Sequence, residues 1–131
     1  MFDMRKKRVA IIDDEMDIVI YLTSALQDNG FEACSATNAT EGLELIRSQR
    51  PDLVCLDILM PEETGYSLYR KIKGDKSLKD TRILIISALN IEQEMSRVGS
   101  VVKPDGYVEK PIDIPLFIKK IQELTPEARD S

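Results

Sequence analysis

The chain has 131 residues, 18 lysines and arginines against 23 acidic residues, and a net charge of −5 at pH 7. That length suits one domain with a continuous core, and a pI near 4.8 argues against a general nucleic-acid binder, which needs a basic face. There is no apolar run of membrane-spanning length and no histidine for a triad, a metal site or a general base, and the two cysteines, Cys34 and Cys55, are too few for a disulfide scaffold. Both are expected to be reduced, in a cytoplasmic setting. Any chemistry must rest on carboxylates, lysines, hydroxyls and a metal held by oxygen.

Residues 1–7 read as a basic lead-in. Arg8 to Asp13 is a nearly continuous apolar run, the pattern of a strand buried on both faces of a parallel sheet. Glu15 to Asn29 is a helix pattern with Ile18, Leu22, Ala25 and Leu26 on one face and Gly30 as its stop. A weaker strand follows at Glu32 to Thr37, then a helix from Thr40 to Gln49 carrying Leu43 and Ile46 and closed by Pro51. Asp52 to Asp57 is a second apolar strand. Thr64 to Lys73 is a helix with Leu68 and Ile72, stopped by Gly74. Arg82 to Ser87 is a third apolar strand, Ile91 to Val98 a shorter and poorer helix, and Gly106 to Glu109 a weak strand. Asp113 can cap a last helix with Pro115 in its first turn and Leu116, Ile118, Ile121 and Leu124 as apolar anchors. Residues 125–131 form a short tail.

Five β-α units within one domain imply an α/β fold, a doubly wound five-stranded parallel sheet with helices on both faces and the flavodoxin-like order 2-1-3-4-5. The weak strands suit its edges. Ligands of such a sheet bind beyond the carboxyl ends of the strands where the order reverses, here between the first and third strands. Those ends carry Asp13, Asp14 and Asp57, with Ser87 and Lys110 ending the next two strands. Three close carboxylates need protonation or a cation. Hard oxygen ligands with room for phosphate oxygens suit Mg²⁺.

The ordered set Asp13-Asp14-Glu15, Asp57, Met60-Pro61 with Gly65, Ser87, Tyr107 and Lys110-Pro111 resembles the receiver domain of two-component response regulators, over about residues 8–124 of a single domain spanning 1–131. It is similar to single-domain chemotaxis-type regulators. The resemblance implies that Asp57 accepts a phosphoryl group from a phosphohistidine on a sensor histidine kinase or phosphotransfer protein. It implies Mg²⁺, or Mn²⁺ in its place, held by Asp13, Asp14, Asp57 and the Leu59 backbone carbonyl. Lys110 and Ser87 would each bind a phosphoryl oxygen, Ser87 and Tyr107 would form a switch, and Pro111 would follow a cis bond, with Pro61 and Gly65 in structural roles. The output would be a changed protein-interaction surface for a downstream target or fused output domain, with dimerisation on phosphorylation, and no direct contact with nucleic acid or membrane. Such a domain catalyses its own phosphorylation and dephosphorylation and is not a turnover enzyme.

Some positions depart from the family pattern. Ser87 replaces the common threonine, Glu63 stands where an apolar residue is usual, and Lys103-Pro104 replaces Gly-Ala before the fifth strand. Pro104 cannot continue a helix, so the fourth helix is expected to end near Gly99, with an irregular stretch from Ser100 to Asp105. Leu59 and Leu89 offer no hydrogen bond to an attacking water, which implies slow self-dephosphorylation. The alternative function is a degenerate receiver acting as a constitutive interaction module. A Mg²⁺-dependent hydrolase with an Asp nucleophile would want Asp-x-Asp, but position 59 is Leu and no cap-sized insert exists.

Overall fold

The computed structural model describes residues 6–60, 65–90, 92–93 and 103–126. In chain order the elements are β1 (Arg8–Ile12), α1 (Met16–Asp28), β2 (Glu32–Ala36), α2 (Ala39–Gln49), β3 (Leu53–Asp57), α3 (Gly65–Gly74), β4 (Arg82–Ser87), β5 (Gly106–Glu109) and a C-terminal helix (Ile114–Leu124). All four strand pairings are parallel and the order is β2-β1-β3-β4-β5. The fold is therefore the doubly wound flavodoxin-like sheet, with the two weakly apolar strands at its edges. Most of the predicted helix from Ile91 to Val98, its end near Gly99, Glu63 and Pro61 lie outside the described residues.

Side chains alternate across a strand, and the sheet accordingly separates two cores. Ala10, Ile12, Val54, Leu56, Ile83 and Ile85 pack with Ile46 of α2 and Leu68, Tyr69 and Ile72 of α3. Val9, Ile11, Leu53, Cys55, Leu84 and Ile86 pack on the other face with Val19, Leu22 and Leu26 of α1 and Phe117, Ile118 and Ile121 of the C-terminal helix. The inner strands are apolar throughout because both their faces are covered.

Local chemistry sets the helix ends. Asn38 caps α2 by accepting from the Glu41 N–H at 2.8 Å. The Asp113 side chain accepts from Leu116 N–H at 3.3 Å at the start of the C-terminal helix. α1 closes on Gly30, whose φ of +87° is the left-handed conformation that favours glycine. The Gly30 N–H reaches the Gln27 carbonyl and the Phe31 N–H the Leu26 carbonyl, and both Phe31 and Leu26 are buried in one core. Gly74 is the last residue of α3 rather than a stop beyond it.

Leu116 is a correction. It is 64% exposed, and Phe117 takes its place as a fully buried anchor. The buried stripe runs through Phe117, Ile118 and Ile121, at helical spacing. A residue two places before Ile118 lies on the opposite side of the helix. In α1, similarly, Ile18 and Ala25 are only half-buried, and Val19 joins Leu22 and Leu26 at the centre of the stripe.

Candidate functional site

The site lies at the carboxyl ends of the inner strands, where backbone bonds continue each ladder by one step. Asp13 N–H donates to the Ala36 carbonyl, Ile58 N–H to Ile86, and Lys110 N–H to Ser87, at 3.2, 3.3 and 2.8 Å. Register places Ile12 beside Leu56, Asp57 beside Ile86 and Ser87 beside Glu109. Asp13, Asp57, Ser87 and Lys110, far apart in sequence, thus meet along one rim.

The geometry brings together Asp13, Asp14 and Asp57, whose carboxylates offer oxygens within 4.8 Å of one another. Asp13 is 0% exposed and Asp57 2%, while Asp14 is exposed. The Asp57 Oδ1 accepts from Leu59 N–H at 3.0 Å, and the Asp13 Oδ1 accepts from Glu15 N–H at 2.9 Å. That leaves one oxygen of each buried carboxylate facing the cleft. The Lys110 ammonium approaches these at 3.0 Å (Asp13 Oδ2) and 3.5 Å (Asp57 Oδ2), and Glu15 Oε1 at 2.7 Å. Although so near Lys110, Asp13 Oδ2 is buried and has no hydrogen bond of acceptable angle among the described residues. An orphaned anionic oxygen in a mouth lined by three carboxylates fits a hard divalent cation, and the cluster is consistent with a Mg²⁺ site.

Electrostatics agree with that picture. Burial pushes the Asp57 carboxyl up to about 6. The Leu59 N–H opposes the shift, the Asp13 charge adds to it, and the Lys110 charge opposes it. Burial also disfavours the Lys110 ammonium, but its hydrogen bond to Glu15, its close ion pair with Asp13 and the charge of Asp57 outweigh it. Lys110 is therefore held protonated, above the ordinary lysine range. Among the described residues one cation serves these three anions, which leaves the site short of positive charge.

The remaining expected residues surround this centre. Ser87 is fully buried, and its Oγ accepts from Leu89 N–H at 3.1 Å. The Tyr107 hydroxyl is half-buried and donates to the Leu89 carbonyl at 3.1 Å, so both side chains meet the same short turn. The Lys110–Pro111 peptide is cis. Gly65 opens α3 against the end of β3. A Cβ there would stand 2.5 Å from the Asp57 carbonyl oxygen and 2.6 Å from Ile58 Cα, and the Gly65 N–H already donates to the Ile58 carbonyl. Leu59 is 45% exposed at the mouth. The chain leading into β5 is not helical at Lys103 and Pro104. It is pinned to α3, where the Tyr69 hydroxyl donates to the Lys103 carbonyl and accepts from its N–H. The contact of Glu15 with Lys110 is the feature that sequence pattern missed. Glu15 belongs to the acidic run after β1, but a reach across 95 positions leaves no local signal.

Comparison with known proteins gives a consistent family. The response regulator receiver domain matches residues 9–122. The polar-differentiation response regulator DivK of Brucella anthropi is 28% identical over 127 residues, covering 95% of this chain and all of that protein. The response regulator TrrA from Thermotoga maritima, in a complex with Mg²⁺ and BeF, is 32% identical with a TM-score of 0.79, over 90% of this chain and 98% of that one. The chemotaxis protein CheY4 of Vibrio cholerae is 26% identical with a TM-score of 0.80, over 92% of this chain and 99% of that one. Among the described residues no helix is long and apolar enough to cross a membrane.

Proposed function

The chain belongs to the response regulator receiver domain family, phosphoacceptor domains that modify themselves and partner with a sensor kinase or phosphotransfer protein, and from that premise we propose that Asp57 is the acceptor. The observation that carries this assignment is the buried Asp57 Oδ2, which faces Lys110 across 3.5 Å beside the carboxylates of Asp13 and Asp14. Asp57 Oδ1 is engaged by Leu59 N–H, which leaves Oδ2 as the nucleophile.

In-line transfer forms the Oδ2–P bond as the donor's P–N bond breaks, and the leaving imidazole belongs to the partner. Phosphoryl transfer depends mainly on positioning and on neutralising the equatorial oxygens. Lys110 offers an ammonium to one oxygen. The Ser87 hydroxyl, which already accepts a bond from Leu89 N–H, keeps its proton to donate to another. Asp13, Asp14, Asp57 and the Leu59 carbonyl would hold Mg²⁺, or Mn²⁺ in its place, whose charge would add to the neutralisation of the phosphoryl group. Asp57 needs no general base at neutral pH, because a carboxyl near 6 is mostly ionised there.

Movement of the Ser87 hydroxyl toward the phosphoryl group would disturb the turn that also receives the Tyr107 hydroxyl. That shared turn supports a Ser87–Tyr107 switch reading out to a downstream protein or output domain. Leu59 and Leu89 bring no polar side chain to the mouth, which supports slow hydrolysis of the acyl phosphate. The free thiols of Cys34 and Cys55 support a cytoplasmic setting.

Intact-mass measurement after incubation with Mg²⁺ and acetyl phosphate tests the assignment. A phosphoryl-sized gain is expected in the native protein, absent with EDTA and absent in Asp57→Asn. A gain that survives in Asp57→Asn would refute Asp57 as acceptor. No gain with acetyl phosphate or with a phosphorylated donor domain would favour the degenerate module.

A further inference from the structure

Glu15 occupies an unusual position for a helix-capping residue. It is the N-cap of α1 yet makes no side-chain cap bond. Instead its Oε1 reaches Lys110 Nζ at 2.7 Å, the shortest of that ammonium's three carboxylate contacts, against 3.0 Å to Asp13 and 3.5 Å to Asp57. The three carboxylates pull that ammonium in different directions, and Asp57 is the one it reaches least closely. The backbone of Glu15 is fixed, because its N–H donates to Asp13 Oδ1. Its side chain is 59% exposed, whereas those of Asp13 and Asp57 are 0% and 3% exposed. Glu15 is thus the one member of the trio that can let go into water at little cost.

We infer that Glu15 is a positioning residue, which holds the Lys110 ammonium back from Asp57 in the unphosphorylated protein and yields it when a phosphoryl group arrives. The inference rests on Asp57 as the acceptor. A phosphoryl group on Oδ2 draws the ammonium toward its own oxygens, so the Glu15 contact must lengthen. A contact made in one state and weakened in the other shifts the balance between them by the difference. Glu15 therefore favours the unmodified state, and removing its grip favours the phosphoryl-bound one. An exposed ion pair is worth up to about 1 kcal/mol, so the expected shift is roughly two- to fivefold.

The test measures, by calorimetry, the affinity for beryllium fluoride in the presence of Mg²⁺. Glu15→Gln is expected to bind roughly two- to fivefold more tightly than the native chain. Glu15→Asp keeps the charge but is one methylene shorter and loses the reach, so it is expected to move the same way. Asp17→Asn removes an exposed charge from the same turn of α1 without a contact to Lys110, and is expected to leave the affinity unchanged. Unchanged affinity in Glu15→Gln would overturn the inference. So would a native-like Glu15→Asp beside an Asp17→Asn that matches Glu15→Gln, because a general field rather than a held ammonium would then explain the gain. No binding by the native chain would defeat the acceptor assignment and this inference with it. Binding by the native chain with no response to Glu15→Gln would defeat only the inference.

Discussion

Arg8 opens β1 and Asp13 directly follows its last residue, and the two use charge in opposite ways. At the start of β1 the Arg8 side chain donates to Glu32 Oε1 at 2.9 and 3.2 Å and to the Gln49 carbonyl at 2.7 Å, while its backbone N–H donates to Asp52. Those partners sit in water, where each pair contributes little and the loss of one is tolerated. Past the end of β1, Asp13 and Asp57 are buried around one lysine, with an Asp13 oxygen that is ion-paired but accepts no hydrogen bond among the described residues, and an Asp57 carboxyl raised to about 6. Charge at the first end is satisfied, whereas at the second, among the described residues, three carboxylates share one ammonium. Buried carboxylates that share one ammonium leave capacity for a cation and a phosphoryl group.

The largest expected effect comes from removing Lys110, the ammonium at the second end. Lys110→Ala leaves two buried carboxylates without their ion pair, and breaking such a pair costs about 3 kcal/mol. Urea unfolding in EDTA at pH 7 should show that loss, and Mg²⁺ should restore more stability to the variant than to the native chain. A loss below about 1 kcal/mol, the range of a surface pair, would erase the contrast between the two ends.

The next effect has the opposite sign. Asp57 has a folded-state pKa of about 6, above its unfolded value near 3.9. The folded state thus binds the proton more readily, and the carboxyl's contribution to stability is full below about pH 4 and is lost as pH rises through about 6. At pH 8 without metal, ionised Asp57 costs on the order of 3 kcal/mol. Asp57→Asn should therefore be more stable than the native chain at pH 8, with the gain shrinking between about pH 6 and pH 4. Thermal melts in EDTA across that range check it. A gain that does not vary with pH would mean that packing, not charge, sets the difference.

The division between what was readable from sequence and what was not follows the range of the interactions. Strands β1, β3 and β4 were legible because a strand covered on both faces must be apolar at every position, and the weakness of β2 and β5 correctly put them at the edges. Gly30 was legible because a left-handed turn selects glycine locally. Leu116 was misplaced because apolar composition alone does not fix the phase of a helix, and Pro115 beside the cap obscures where the first turn begins. At the site, the convergence of Asp13, Asp14 and Asp57 followed from strand order alone. The competition of Glu15 for Lys110, the orphaned Asp13 oxygen and the close approach of Gly65 to the Asp57 carbonyl required distances between residues that no local pattern relates.

The smallest expected effect sharpens the comparison from the satisfied end. Arg8 and Glu32 meet at 2.9 Å with side chains 37% and 45% exposed. Water already solvates both groups, and holding two long side chains together opposes the Coulomb gain. Glu32→Ala should thus cost no more than about 0.5 kcal/mol in urea unfolding, and less in high salt, which screens exposed pairs. Arg8 would keep its bond to the Gln49 carbonyl, so no buried donor is stranded. At the other end, the same removal of one partner strands charge out of reach of water and salt. If Glu32→Ala cost as much as Lys110→Ala, exposure would not be what separates the two ends of β1.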